Sequence, residues 1–258
     1  MNTMRNPIQK PTQNPMPLRV DNLHKAYGRK QVLAGFSLIA KPGTVTAILG
    51  SNGSGKSTFM RCLLGLHVFQ QGRIEVMGED VRRGPQYRRH IGYMPQTPSF
   101  PENLTVREIA SLVAQVRKVK PDFERGGELG VQEFLDQKWK ILSGGMKQKV
   151  NAMLAVAFNA SLLVLDEPTA SLDPASRLRL VDLLKQEREN GRTILISTHL
   201  LGDLWELADR LAFLRDGRVH SLSADEIPGK GTDIGLFERS VAEHLENKAG
   251  LRIGRAAA

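Results

Sequence analysis

The fold of this chain is decided by the stretch Gly50-Ser51-Asn52-Gly53-Ser54-Gly55-Lys56-Ser57-Thr58. It follows the apolar run Val45–Leu49 and leads into a sequence typical of a helix, so it predicts a strand, a glycine-rich turn and a helix. Glycines let the backbone curl until several N–H groups point inward, and the following helix adds its positive N-terminal end. The stretch therefore predicts an anion-binding loop.

The spacing of this loop indicates which anion it binds. It matches the pattern G-x-x-x-x-G-K-[ST] from Gly50 to Ser57. In that pattern the Lys56 ammonium would reach the β- and γ-phosphates, and the Ser57 hydroxyl would reach Mg²⁺. A chance glycine-rich turn before a helix is the alternative, and the strand and helix around the loop argue against it. We predict a nucleoside triphosphate site.

Two acids follow a second buried strand. The continuous apolar run Leu162–Asp166 predicts a central parallel strand that is buried on both faces. Because α/β sheets bind ligands at the carboxyl ends of their strands, Asp166 and Glu167 are expected near the phosphate loop. Asp166 would contact the Mg²⁺ shell through water, and Glu167 would act as general base or position the water that attacks the γ-phosphate. The alternative is two solvated loop acids.

A second glycine-rich element lies at residues 142–146, Leu-Ser-Gly-Gly-Met. Ser143 is placed to cap a long helix, and a serine hydroxyl with free backbone N–H groups at a helix start can bind a second anion. Taken alone, an ordinary helix N-cap is the better interpretation. The other motifs of the chain make the anion site the stronger one.

Strand and helix patterns alternate on both sides of a region that is helical only. Residues 1–17 contain four prolines among polar residues and predict a disordered tail. Residues 18–23 alternate like an edge strand, and residues 88–94 predict a short strand. A helix is predicted over residues 201–208 and a weak one near residues 237–245. The alternation predicts a parallel sheet with crossover helices, interrupted by an α-helical insertion at residues 97–155.

Composition restricts the class of protein. A chain of 258 residues with 41% hydrophobic residues can build one large core, or one core and a smaller lobe. No apolar run is long enough to cross a membrane, and the N-terminal residues lack the apolar core of a secretory signal, so we expect a cytoplasmic protein. The single cysteine, Cys62, excludes an internal disulfide and a cysteine-based zinc site.

The net charge of +9 leaves three classes of partner open: nucleic acid, an anionic membrane surface, or none beyond solvent. Aromatic residues make up only 5% of the chain and do not interleave with the basic clusters, which argues against a base-stacking surface for nucleic acid. Attraction to the anionic inner membrane leaflet fits at least as well, and we expect no nucleic-acid partner.

Taken together, these elements resemble the ATP-binding subunit of an ABC transporter. Residues 50–58 resemble that family's Walker A motif, residues 142–146 its LSGGQ signature, and residues 163–167 its Walker B motif. The shorter elements that resemble the family are the D-loop Ser171-Leu172-Asp173, the switch histidine His199, the Q-loop residue Gln96 and the adenine-stacking aromatic Tyr27. Alone, each of these would be an ordinary polar or aromatic residue. The motifs occur in family order and cover residues 18 to about 220.

The resemblance implies an α/β fold of the P-loop NTPase (RecA-like) class, with a parallel sheet, an antiparallel β subdomain and an inserted α-helical subdomain. The implied division is a tail at residues 1–17, an ATP-binding core with its β subdomain at residues 18–96 and 156–221, a helical subdomain carrying the signature at residues 97–155, and a short extension at residues 222–258.

The resemblance also implies the cofactors ATP and Mg²⁺ and a role for each motif. The residues implied to bind ATP are Tyr27, Gly50, Ser51, Asn52, Gly53, Ser54, Gly55, Lys56, Ser57 and Thr58. The residues implied for catalysis are Glu167, His199 and Gln96, and those implied for the metal are Ser57, Gln96 and, through water, Asp166. His199 would contact the γ-phosphate, and Gln96 would couple the site to a membrane partner.

In this family two subunits pair head to tail, and each ATP lies between the Walker A of one and the signature of the other. The residues implied to contact the partner's nucleotide are Ser143, Gly144, Gly145 and Met146, with Asp173 in the D-loop. The expected assembly is a homodimer or pseudo-symmetric dimer bound to transmembrane permease subunits, peripheral on the cytoplasmic face of the inner (cell) membrane.

Three positions depart from the family pattern. Met146 replaces the signature glutamine, a change that resembles cassettes of the ABC-2 efflux type. Ser51 and Ser54 replace the usual proline and alanine of Walker A, and both positions act mainly through the backbone. Residues 91–96, 101–106 and 143–150 look similar to the ATPase of the nitrous oxide reductase maturation (copper-site assembly) transporter. Glu167 is intact, which argues against a binding-only site.

The first hypothesis is thus an ATPase that drives a separate permease. A soluble ABC-type ATPase acting on ribosomes or DNA is the alternative, supported by the net charge of +9. Such proteins usually carry two cassettes, long coiled coils or zinc cysteines, which this sequence lacks. A regulatory nucleotide-binding module without turnover is a third possibility that Glu167 disfavours.

Overall fold

The computed structural model describes residues 15–199, 202, 206–230 and 232–248. The strands of this part of the chain are β1 Leu18–Tyr27, β2 Lys30–Ala40, β3 Val45–Leu49, β4 Gln71–Val76, β5 Glu79–Asp80, β6 Ile91–Met94, β7 Leu162–Asp166, β8 Thr193–Thr198, β9 Arg210–Arg215 and β10 Arg218–Ser223. The α-helices are α1 Lys56–Leu63, α2 Val106–Arg117, α3 Gly144–Val156, α4 Pro174–Glu189 and α5 Ile234–Lys248.

Three predicted segments lie partly or largely outside the described residues. Of the predicted extension at residues 222–258, residue 231 and residues 249–258 are outside. Of the predicted tail at residues 1–17, only residues 15–17 are described. Of the predicted helix at residues 201–208, residues 201 and 203–205 are outside, and Glu206 and Leu207 form a turn. The predicted weak helix near residues 237–245 is part of α5.

The larger sheet carries the phosphate loop. Its strand order is β10-β9-β3-β8-β7-β6, and all neighbours are parallel except the antiparallel pair β9–β10. Strands β3, β7 and β8 are buried at every position, as expected for parallel strands covered on both faces. The predicted parallel sheet is confirmed, and the carboxyl ends of β3, β7 and β8 meet at one edge.

The smaller sheet is antiparallel and has the order β2-β1-β4-β5. The prediction that residues 18–23 form an edge strand is wrong, because β1 pairs with β2 on one side and with β4 on the other. Alternating burial occurs in any antiparallel strand with one solvated face, so this pattern does not distinguish an edge from an interior strand.

The strand predicted at residues 88–94 is shorter than expected. Pro85–His90 is a 3₁₀ segment, and β6 begins only at Ile91. Proline has its φ angle fixed near the helical value, so Pro85 favours a helical start at this point. The apolar residues at 91–94 alone form the strand.

Residues 97–155 contain α2, most of α3 and three 3₁₀ segments, Gly127–Leu129, Val131–Phe134 and Trp139–Ile141. A capping box begins α2: the Thr105 hydroxyl accepts from Glu108 N, and the Glu108 carboxylate accepts from Thr105 N at 2.7 Å. The hydrogen bonds that the Glu108 carboxylate accepts from the Thr105 N–H and from the Thr105 hydroxyl lower the pKa of Glu108. Among the described residues, none of the helices has both the length and the apolar character that a membrane crossing requires.

Candidate functional site

At two glycines of the phosphate loop a side chain would clash with its neighbours or strain the backbone. A Cβ on Gly50 would lie 2.5 Å from Ser54 Oγ and 2.8 Å from the carbonyl oxygen of Leu214. Gly55 has φ +112° and would place a Cβ 3.1 Å from Val32 Cγ1. Left-handed backbone of this kind is strained for residues with a side chain. Both glycines are therefore required by packing and backbone geometry within this chain.

Helix α1 begins without the side-chain cap that the next three helices have. Its N-cap is Gly55, no side chain accepts from its first N–H groups, and its first turn contains no acidic residue. By contrast, Thr105, Ser143 and Asp173 cap α2, α3 and α4. The first N–H groups of an α-helix have no intrahelical partner, so an uncapped start next to a glycine-rich loop suits an anionic ligand such as phosphate.

Lys56 lies at this helix start and is only 7% exposed. Its Nζ donates to the carbonyl oxygen of Gly50 at 2.6 Å and to that of Ser51 at 3.4 Å. The same Nζ lies 3.8 Å from Glu167 Oε1. The ammonium is thus held inside the loop, opposite the acid at the end of β7.

Glu167 occupies a strained backbone position at the end of β7. Its φ is +50°, and its N–H donates to the carbonyl oxygen of Ser197 at 2.9 Å. A residue with a side chain rarely adopts this conformation, and such strain is concentrated at functional sites. Glu167 is 6% exposed, and its Oε2 lies 2.9 Å from His199 Nδ1. Glu167 therefore contacts both Lys56 and His199, and the predicted acid, lysine and histidine are brought together.

Asp166 is 5% exposed, and its carboxylate accepts a hydrogen bond from the Ser197 hydroxyl. Ser197 stands opposite Asp166 in the β7–β8 register. Ser197 is not among the residues predicted from the sequence, although a polar residue at the end of an apolar strand, beside a strand that ends in an acid, was an available signal. A buried carboxylate is costly without a partner, and Ser197 supplies one.

The oxygen donors near this edge fit Mg²⁺. The hydroxyl of Ser57, the amide of Gln96 and the carboxylate of Asp166 are hard oxygen groups, which Mg²⁺ prefers. Within the described part of the chain no group of three or more His, Cys, Asp or Glu residues could hold a metal. Mg²⁺ commonly uses one or two protein oxygens together with phosphates and water, so the donor set suits an ion that arrives with a nucleotide.

A cleft of about 240 Å³ unites most of the predicted residues. It is lined by Ser51, Asn52, Gly53, Ser54, Gly55, Lys56, Ser57, Thr58, Gln96 and Glu167. Gln96 is exposed, and the residue before it is anchored, because Asn151 Nδ2 donates to the carbonyl oxygen of Pro95 at 2.7 Å. Asn151 was also missed, because its partner lies 56 residues away in the sequence.

The remaining predicted residues do not line this cleft. Ser143 accepts from Met146 N at 3.2 Å, and Ser143 and Gly144 are exposed at the start of α3. Gly145 would place a Cβ 3.3 Å from the carbonyl oxygen of Ser171. The signature residues therefore lie beside the predicted D-loop.

Asp173 and Tyr27 also lie outside the lining of the cleft. Asp173 caps α4, and its hydrogen bonds from the side chain and backbone N–H of Ser176 lower the pKa of this carboxyl group. Tyr27 ends β1 and is 44% exposed. Its neighbour in the β1–β2 hairpin, Lys30, lines a depression of about 370 Å³ together with Ser51, Asn52, Gly53 and Ser54.

Comparison with known proteins gives consistent results. The family described as ABC transporter matches residues 33–170. A Nod factor export ATP-binding protein I of Burkholderia orbicola is 35% identical over 231 residues, which cover 84% of this chain and 75% of that protein. A ribose import ATP-binding protein of Bacillus subtilis is 32% identical over 243 residues, which cover 87% of this chain and 49% of that protein.

Solved structures show the same fold. The structure of an ATP-binding subunit of an ABC transporter has a TM-score of 0.78 and 30% identity, over 87% of this chain and 99% of that one. The dimeric structure of a bacterial ABC transporter cassette has a TM-score of 0.72 and 25% identity, over 80% of this chain and 98% of that one.

Proposed function

We propose that the cleft is one half of a composite ATP site. The premise is the family: this chain belongs to the ABC transporter family, as its ATP-binding, ATP-hydrolysing subunit. The observation that carries this proposal is the joint position of the phosphate loop, Gln96 and Glu167 around one cleft of about 240 Å³. The uncapped start of α1 supplies backbone donors for the phosphates, and Lys56 supplies the positive charge.

Contacts in and beside the cleft support the residue roles that we propose for hydrolysis. Glu167 takes the role of general base or water-positioner, and His199, 2.9 Å from it, steadies that carboxylate and faces the γ-phosphate. Ser57, Gln96 and Asp166 are the proposed magnesium residues. Bound Mg²⁺ supplies positive charge that offsets the charge on the transferring phosphate. Tyr27 is the proposed contact for the adenine base.

The other half of the site comes from a second subunit in a head-to-tail dimer. Two observations support this proposal: the exposure of Ser143 and Gly144 outside the cleft, and the dimeric cassette among the similar structures. The assembly is a homodimer or pseudo-symmetric dimer in which each nucleotide contacts the phosphate loop of one chain and Ser143, Gly144, Gly145 and Met146 of the other.

The dimer drives transmembrane permease subunits and is peripheral on the cytoplasmic face of the inner membrane. The proposed division is residues 18–96 and 156–221 as core, residues 97–155 as helical subdomain and residues 222–258 as extension. The permease docks on the helical subdomain and near Gln96. We favour ABC-2 type efflux, because several matched relatives are Nod factor export proteins, although another is a ribose importer.

The narrower proposal, a link to nitrous oxide reductase maturation, rests on the resemblance of residues 91–96, 101–106 and 143–150. Its test is the permease that co-purifies with the chain. Recovery of ribosomes or DNA in place of a membrane protein would favour the alternative of a soluble ABC-type ATPase, which the net charge of +9 supports.

The experiment that tests hydrolysis uses the chain reconstituted with its permease. Glu167→Gln should lower ATP turnover by about 100-fold or more while ATP binding is retained. Glu189→Gln, at an exposed position on α4, is the matched control and should leave turnover unchanged. Absence of hydrolysis by the unmodified protein would contradict the proposed site, and normal turnover in Glu167→Gln would remove Glu167 from its role.

A further inference from the structure

The ring of Tyr27 is held at its edge by a histidine that no motif includes. The phenol oxygen of Tyr27 lies 2.5 Å from His67 Nδ1. The two ring centroids are 5.7 Å apart and the ring planes make an angle of 79°, so the histidine meets the edge of the tyrosine ring. An edge contact with a hydrogen bond fixes the tilt of the ring and leaves its faces available.

One face of the Tyr27 ring is covered by a cation. Lys25 Nζ lies 4.6 Å from the ring centroid, and Lys25 is only 9% exposed. The same Nζ donates to the carbonyl oxygen of Val68 at 2.7 Å, which fixes the ammonium in place. A cation over an aromatic face is stabilised by the ring quadrupole. With 44% of Tyr27 exposed, the opposite face remains accessible for stacking.

The segment that carries His67 is anchored to β1 and to α1. The Gln70 side-chain amide makes two hydrogen bonds with the backbone of Ala26. Its Oε1 accepts from the Ala26 N–H at 3.1 Å, and its Nε2 donates to the Ala26 carbonyl oxygen at 3.3 Å. The His67 N–H donates to the carbonyl oxygen of Arg61 at 3.1 Å, near the end of α1. Since α1 begins at Lys56, one helix connects the phosphate end of the site with the support of Tyr27.

We propose that His67 is a positioning residue for the nucleotide base: it holds the Tyr27 ring at the tilt at which its free face stacks the base, while Lys25 supports the other face. This inference rests on the proposed function, in which Tyr27 contacts the base and the phosphate loop binds the triphosphate. It adds His67 and Lys25, which lie outside all the nucleotide motifs, to the determinants of base binding.

The charge state of His67 agrees with this role. Partial burial, Arg61 and Lys25 together lower the pKa of His67, so its ring is neutral near pH 7. A neutral imidazole with its proton on Nε2 accepts from the Tyr27 hydroxyl through Nδ1. The charged groups that face this histidine are Lys25 from β1 and Arg61 from α1, and both favour the neutral form.

The test separates the base from the phosphates by measuring dissociation constants of the full chain for ATP and for inorganic tripolyphosphate with Mg²⁺ at pH 7.5. His67→Leu should weaken ATP by about 3- to 10-fold, the worth of one hydrogen bond, and leave tripolyphosphate unchanged. His67→Asn should bind ATP more tightly than His67→Leu and close to the unmodified chain. Asparagine Oδ1, like histidine Nδ1, is bonded directly to Cγ and can accept from the Tyr27 hydroxyl. His220→Leu, at an exposed position on β10, is the matched control.

Three results would overturn the role of His67: unchanged ATP binding in His67→Leu, equal weakening of both ligands, or no recovery in His67→Asn. Tyr27→Ala tells this failure from that of the proposed site, since loss of stacking should weaken ATP by about 5- to 100-fold. If Tyr27→Ala weakens ATP but His67→Leu does not, only the inference fails. If the unmodified chain binds neither ligand, the proposed nucleotide site itself fails.

Discussion

The phosphate loop and the signature segment are both glycine-rich helix starts, yet their surroundings differ. At the phosphate loop Gly55 and Lys56 are buried, and a Cβ on Gly55 would strain the backbone and press against β2. At the signature segment Ser143 and Gly144 are exposed, and a Cβ on Gly144 would meet nothing within 4 Å. The chain itself requires glycine at the first site and not at Gly144. This difference supports the proposal that the signature is shaped for a ligand held by another subunit.

The largest effect that would test this difference is expected from Ser143→Arg. An arginine at the exposed start of α3 would block the partner's nucleotide, so turnover with the permease should fall by about 100-fold or more. ATP binding by the isolated chain should change by less than about two-fold, because Lys56 and its loop are untouched. The measurements are ATPase rate and equilibrium ATP binding. Joint loss of both would contradict a site divided between two chains.

A matched pair of glycine substitutions tests the same contrast through stability. Gly55→Ala should lower the free energy of unfolding by about 2–3 kcal/mol, since it combines a positive φ with overpacking against Val32. Gly144→Ala should leave stability equal or raise it by about 0.5–1 kcal/mol, because alanine favours a helix. Denaturant unfolding of both variants provides the comparison. Equal losses would show that the two loops are not different in their packing.

Ser197→Ala tests how much the hydrogen bond to the buried Asp166 contributes to stability in the absence of nucleotide. Removal of the hydroxyl leaves the buried Asp166 carboxylate without that donor, which should cost about 1–3 kcal/mol. Ser143→Ala, which removes an exposed helix cap, should cost less, about 0.5–1 kcal/mol. Chemical denaturation in the absence of nucleotide measures both. A smaller loss at Ser197 than at Ser143 would contradict the contrast between a buried and an exposed site.

The smallest effect concerns the buried side of α1 and its pH dependence. Burial raises the pKa of Cys62 to about 11, so the folded chain disfavours the thiolate. The buried neutral thiol contributes to the stability of the folded chain at low pH. This contribution is lost as the pH rises from the pKa of the unfolded thiol towards 11. Between pH 8 and pH 10 the unmodified chain should therefore lose about 1 kcal/mol more stability than Cys62→Ala. Parallel curves for the two proteins would contradict the burial of this helix face.

Much of the nucleotide side could be predicted because its determinants are local. The phosphate loop is one continuous stretch, and the apolar run of the strand Leu162–Asp166 by itself predicts that the strand is buried. The sheet class follows from the alternation of strands and helices. Local pattern does not report strand pairing, however, so the interior position of β1 was predicted wrongly. The strand before Gln96 is shorter than predicted because Pro85–His90 is a 3₁₀ segment.

The missed residues share a dependence on distant parts of the chain. His67 reaches Tyr27 across 40 residues, and Asn151 reaches Pro95 across 56. Their side chains are chemically ordinary, and only the fold gives them a partner. The positive φ of Glu167 likewise comes from how the end of β7 meets β8, which no residue type at that position signals.

The hydrogen bond from Asn151 to Pro95 has a mechanical consequence. Ser143 is the N-cap of helix α3, and Asn151 lies within the helix about 12 Å further along its axis. Asn151 Nδ2 of this helix donates to the Pro95 oxygen at 2.7 Å, directly before Gln96, so a tilt of α3 would be transmitted to that backbone. In the proposed dimer, α3 would therefore connect the surface that meets the second subunit with the loop at the nucleotide cleft.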